Sequence, residues 1–133
     1  MEYNTPKVLK IVTIDDSAIV TERLKYILNE IDSVEILGTA NDISSAQKLT
    51  NSVVPDVIIL DINLSDYEFG QTGIDLLIEF RKKLPKAKII VFTNHNELHY
   101  RLVCIGNGAN YFFDKSKDSH KISEVIKQWI IKN

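Results

Sequence analysis

An α/β domain with a five-stranded parallel sheet and helices on both faces is predicted from three features of the 133-residue sequence. Five short β-branched runs alternate with five helical stripes along the whole length, the pattern of successive βαβ units. One of the runs, Val57–Leu60, is apolar at every position, as a central strand covered on both sides must be. Pro55 and Pro85 each follow a helical segment, and proline cannot continue a helix. A chain of this length favours the flavodoxin-like order 2-1-3-4-5, because a six-stranded dinucleotide fold needs more residues.

The segments are justified in turn. Leu9–Ile14 is a short β-branched strand that runs into Asp15 and Asp16. In residues 17–31 Val20, Leu24, Ile27, Leu28 and Ile31 fall on one helical stripe, and Val34–Ala40 is a second strand with Gly38 near its end. Residues 43–53 read as a helix, and Val57–Leu60 ends in Asp61. A polar stretch over 62–72 leads to a helix over 73–84 with Ile74, Leu77 and Ile78 inward. Lys88–Thr93 is the fourth strand. Residues 97–105 form a helix with Leu98, Leu102 and Ile105 at spacings of four and three, and Cys104 on its inner side. Gly106 or Gly108 supplies the left-handed stop, and residues 109–113 form the fifth strand. The final helix, Ser119–Lys132, has the clearest stripe: Ile122, Val125, Ile126, Trp129 and Ile130.

Composition narrows the function. Apolar residues make up 44% and charged residues 26%, with a formal charge of −2. That is the mix of a folded soluble protein without the basic balance that nucleic acid or a membrane surface would favour. No apolar run approaches the length of a membrane span, and the first residues lack the plan of a secretion signal. The single cysteine, Cys104, has no internal partner, so a reducing, cytoplasmic setting is expected.

In the predicted topology, function belongs at the carboxyl ends of the strands, beside the switch point. There stand Asp15-Asp16, Asp61, Thr93 and Asp114-Lys115. Alone, each has a bland reading as a turn former or helix cap; together Asp15, Asp16 and Asp61, with Thr93 and Lys115, place three carboxylates, a hydroxyl and an ammonium in one pocket. Two carboxylates ~4 Å apart repel by about 4 kcal/mol at an effective dielectric of about 20. Gathering three therefore calls for a raised pKa or a divalent cation. Oxygen-only ligands favour Mg²⁺ over Zn²⁺, and an acidic Mg²⁺ pocket beside Thr and Lys suits a phosphoryl group.

The segments Val12-Thr-Ile-Asp-Asp16, Val57-Ile-Ile-Leu-Asp61, Val91-Phe-Thr93 and Gly108-Ala-Asn-Tyr-Phe-Phe-Asp-Lys115 resemble the receiver domain of two-component response regulators, of the kind that chemotaxis regulators also carry. The likeness covers essentially the whole chain, implying one receiver domain over 1–133 with no output domain in this chain. It implies that Asp61 accepts a phosphoryl group from a histidine kinase or a histidine phosphotransfer protein, with self-catalysed transfer and slow autodephosphorylation as the only chemistry. It implies Mg²⁺, with Mn²⁺ as a substitute, held by Asp16, Asp61 and the Asn63 backbone carbonyl, with Asp15 acting through water. Lys115 would pair with the phosphoryl oxygens and Thr93 would donate to them. Tyr111 would be the switch aromatic that turns inward as Thr93 moves, and His95, two past Thr93, would tune the lifetime of the phosphoform. The face formed by the fourth helix, fifth strand and fifth helix would engage a downstream protein or output domain. A homodimer is left open, and no nucleic-acid or membrane contact is expected of this domain.

Two departures stand out. Gly73 lies twelve residues past Asp61, a longer loop than such domains usually carry, read either as a tolerated insertion or as a docking or shielding loop bearing Tyr67 and Phe69. Ser116 follows Lys115 where proline is common, so a cis bond there is disfavoured. Two rivals remain. Asp61-Ile-Asn-Leu-Ser65 faintly resembles an aspartyl-phosphate phosphatase stretch, but it follows the third strand and has Asn63 in place of the acid. A pseudo-receiver without phosphorylation is opposed by the complete acidic set.

Overall fold

The computed structural model describes residues 8–66 and 70–132. Its elements run β1 (Leu9–Ile14), α1 (Ala18–Asn29), β2 (Val34–Ala40), α2 (Ile43–Ser52), β3 (Val57–Leu60), β4 (Ser65–Asp66), β5 (Gln71–Thr72), α3 (Gly73–Lys83), β6 (Lys88–Thr93), α4 (Leu98–Gly106), β7 (Tyr111–Asp114) and α5 (Ser119–Lys132). The main sheet has the order β2-β1-β3-β6-β7 with all neighbours parallel, which is the predicted order once the two short strands are set aside.

Two hydrophobic clusters sandwich this sheet. One gathers Ile58, Leu60, Ile89, Val91 and Phe112 with Leu76, Leu77, Phe80 and Cys104. The other gathers Val57, Ile59, Ile90, Phe92 and Phe113 with Leu24, Leu28, Ile122 and Ile126. Successive residues of each strand thus enter opposite clusters, as the pleat requires. Fully burying each such aliphatic side chain contributes ~1.5–3 kcal/mol, so every central strand is anchored from both sides.

Side-chain caps fix the helix starts on the functional edge. Ser17 accepts from the Val20 amide at the head of α1, while Asp42 with Ser45 and Thr72 with Asp75 form capping boxes on α2 and α3; such caps contribute about 1 kcal/mol each. Gly73 opens α3 because a Cβ there would lie 2.4 Å from the Ile62 Cα. At the opposite edge Gly108 adopts φ 105° after α4, and Arg81 donates to its carbonyl oxygen at 2.7 Å and to that of Ala87 at 2.8 Å.

Two expectations are corrected. The loop past Asp61 is not simply polar coil: Ser65–Asp66 and Gln71–Thr72 pair as a small antiparallel ribbon, with strands too short to show a period. Tyr67 and Phe69, the aromatics of that loop, lie outside the described residues. The stripe on α4 also faces the other way: Leu98, Leu102 and Ile105 are 68%, 62% and 46% exposed, and Cys104 is the helix's buried residue.

Candidate functional site

The carboxyl edge converges as the topology requires. The Asp15 amide donates to the Ala40 carbonyl and the Asp61 amide to the Ile14 carbonyl, so the ladder sets both acids at the ends of adjacent strands. Asp15 and Asp61 are buried at 3% and 2% exposure, whereas Asp16 is exposed. Carboxylate oxygens of all three lie within 4.8 Å of one another. Lys115 reaches in from the turn after β7, its Nζ 2.7 Å from Asp15 Oδ2 and 2.7 Å from Asp61 Oδ2. The other oxygens are also used: Asp15 Oδ1 accepts from the Ser17 amide at 2.8 Å, and Asp61 Oδ1 accepts from the Asn63 amide at 2.9 Å.

These contacts define the charge state. Burial pushes the Asp15 carboxyl up, against the Lys115 and Ser17 hydrogen bonds that pull it down, and the neighbouring Asp61 charge pushes the same way as burial. Burial also works against the Lys115 charge, but its bonds to Asp15 and Asp61 outweigh that penalty and hold the ammonium above its ordinary value. One ammonium among three carboxylates leaves negative charge in excess. Such an all-oxygen donor set, partly exposed through Asp16, fits a hard divalent cation that keeps waters, as Mg²⁺ does.

Thr93 ends β6 fully buried, and its Oγ1 accepts from the His95 amide at 3.2 Å. His95 Nε2 lies 2.8 Å from Asn63 Oδ1, joining the loop after β6 to the loop that follows Asp61. An open recess of about 280 Å³ lined by Asp16, Asn41, Asp42, Asn63, Leu64 and Ser65 gives access beside the acids. A wider one, about 680 Å³, lies at the opposite edge between Val54, Pro85 and Trp129. It is lined by three lysines and a single acid, Asp56, so it lacks the donor set for this chemistry.

Tyr111 does not stand where the switch aromatic was expected. Paired with Ile90 in the ladder, it lies in the α1/α5 layer with its ring 5.3 Å from Phe113 and 5.9 Å from Trp129. Thr93 pairs with Asp114 and Val91 with Phe112, which puts Phe112 on the Thr93 face. There it is buried with Arg101 of α4 over its ring at 5.1 Å. Counting the two-residue strand period back from Asp114, the residue beside Thr93, gives this assignment. The pairing of Asn96 with Asp114 also escaped sequence reading, since Asn96 lies in a loop without a period and the period of β7 names no partner for Asp114.

A parallel doubly wound sheet carrying three acids, a threonine and a lysine at one edge defines a phosphoacceptor signalling domain. The family model for the response regulator receiver domain matches residues 11–127, and the chain belongs to that family. It is 27% identical to the transcriptional regulatory protein MctR of Rhizobium johnstonii over 92% of this chain and 55% of that protein. It is 31% identical to the oxygen regulatory protein NreC of Staphylococcus carnosus over 88% of this chain and 53% of that one. The chain thus spans about half the length of these relatives. Among solved structures, a LuxR-family two-component response regulator from Aurantimonas superposes with a TM-score of 0.82 at 24% identity, covering 96% of this chain and 88% of that one. No helix among the described residues is long and apolar enough to cross a membrane.

Proposed function

We propose that Asp61 is the acceptor of a phosphoryl group from the phosphohistidine of a histidine kinase or histidine phosphotransfer protein, and that the phosphoform is read on the α4–β7–α5 face. The observation that carries this reading is the buried Asp61 carboxylate held by Lys115 inside a cluster of three acids. An Asp61 oxygen attacks phosphorus in line as the P–N bond to the donor imidazole breaks, giving a mixed anhydride. Lys115, already 2.7 Å from Asp61 Oδ2, follows the charge onto the phosphoryl oxygens. The Thr93 hydroxyl, which accepts from the His95 amide, keeps its proton free to donate to another of them. Asp16, Asp61 and the Asn63 carbonyl would hold Mg²⁺, with Asp15 acting through water. When bound, that ion, or Mn²⁺ in its place, would supply positive charge beside the transferring group.

Phosphorylation adds about −1.5 to −2 charges at a point lined by donors. Drawing Thr93 toward them moves the loop into α4, and with it the packing of that helix on Phe112. His95, bonded to Asn63 two residues past Asp61, sets the rate of slow autodephosphorylation. His95→Ala therefore changes the decay rate of the phosphoform without changing how much phosphoryl group is taken up.

Incubation with acetyl phosphate and Mg²⁺ tests the reading by intact mass. One added phosphoryl group, absent in Asp61→Asn and absent without the metal, is expected. No uptake, or uptake by Asp61→Asn, overturns it.

A further inference from the structure

A fourth carboxylate at the same edge lies outside the acidic cluster. Asp114 ends β7, is 5% exposed, and is not among the acids grouped around Asp61. Its two oxygens serve two different loops. Oδ1 accepts from the Ser116 amide at 2.7 Å and the Ser116 hydroxyl at 2.6 Å, shaping the turn that presents Lys115. Oδ2 accepts from Asn96 Nδ2 at 2.5 Å, in the loop that carries Thr93.

The first half is a local Asx turn, which aspartate forms on its own. The second half spans eighteen residues and serves no turn. Hydrogen bonds from Ser116 and Asn96 hold the Asp114 carboxyl well below the ordinary range, at about 2, so it is an anion at any physiological pH. The backbone adds one direct link, the Lys115 amide donating to the Thr93 carbonyl at 3.0 Å. Three residues further along the same loop, the Asn96 side-chain Nδ2 makes the second by donating to Asp114 Oδ2.

We propose that Asp114 is a positioning residue that ties the Thr93 loop to the Lys115 turn, so that both donors approach the phosphoryl group as one body. The proposal rests on Asp61 being the acceptor. Lys115 contacts the acceptor directly, so any displacement of its turn on phosphorylation pulls Asp114, and through Asn96 it draws the loop that leads into α4. Without the tie, Lys115 still engages, but the loop is free to lag.

Amide chemical shifts of the whole chain titrated with beryllofluoride and Mg²⁺ test this. In the wild type, amides at 94–98 and at 115–116 respond together. In Asn96→Ala and in Asn96→Asp, which sets carboxylate against carboxylate, the 115–116 response persists. The engaged-to-disengaged ratio of the 94–98 loop at saturation falls about tenfold, the scale of one lost hydrogen bond to a charged group. The swap Asn96→Asp with Asp114→Asn restores an amide–carboxylate pair with reversed roles and is expected to restore the loop response, which a merely structural role would not do. Single variants that respond like the wild type, or a swap as defective as they are, overturn the tie while leaving the acceptor reading intact. A wild type that shows no response removes the acceptor reading, and the tie with it.

Discussion

Helices α4 and α5 both flank β7 and both carry an apolar stripe, yet they are held in unlike ways. α5 sets Ile122, Val125 and Ile126 into the core beside Phe113, whereas α4 buries only Cys104 and leaves Leu98, Leu102 and Ile105 in solvent. At ~1.5–3 kcal/mol per buried aliphatic side chain, α5 is fixed by packing. α4 depends on one small thiol, on half-buried Tyr100, on the Arg101–Phe112 contact and on the polar tethers of the loop before it. Stability is unevenly distributed in folded proteins, and moving elements come from its low end. The difference makes α4 the movable partner and α5 the fixed one, and the Thr93 loop enters α4.

The largest effect expected from breaking this contrast is on α5. Ile126→Ala costs about 2–5 kcal/mol in urea denaturation, whereas Leu102→Ala, at a 62% exposed site, stays within about 0.5 kcal/mol. Equal losses would erase the distinction. Next is the metal. If Mg²⁺ occupies the cluster, it is expected to relieve the repulsion around Asp15 and add about 2.7 kcal/mol of stability at a hundred times its dissociation constant, read as a rise in Tm that Asp61→Asn reduces. Cys104→Ser removes the buried anchor of α4 and strands a hydroxyl, at about 1–3 kcal/mol. Burial pushes the native thiol up to about 11, so alkylation at neutral pH reports opening of α4 alone.

The pH effect is the smallest. Asp114 is held at about 2, below its ordinary 3.8. Its contribution is therefore fully present above that ordinary value and is lost as pH falls from there toward 2. Acid unfolding of Asn96→Ala should show a shallower loss over that window than the wild type.

Much of this was legible before any coordinates. The all-apolar Val57–Leu60 run identified a central strand, and the strand ends then placed Asp15, Asp16, Asp61, Thr93 and Lys115 on one edge, where the structure brings the three acids and Lys115 together. The stripe on α4 showed a helix face but not its direction, because four-and-three spacing is the same for a buried side and an exposed one. Tyr111 was placed by the family resemblance; strand parity instead gives Phe112 to the Thr93 face. The β4–β5 ribbon has two-residue strands with no period to detect. The Asn96–Asp114 pair joins a loop to the end of β7 through a contact that no local pattern encodes.

Amide hydrogen exchange of the unmodified and phosphorylated chain, compared segment by segment, tests the division between the helices most directly. Exchange through residues 93–106 should change on phosphorylation, while residues 119–132 keep their protection. A change centred on α5 with α4 unaltered would contradict it.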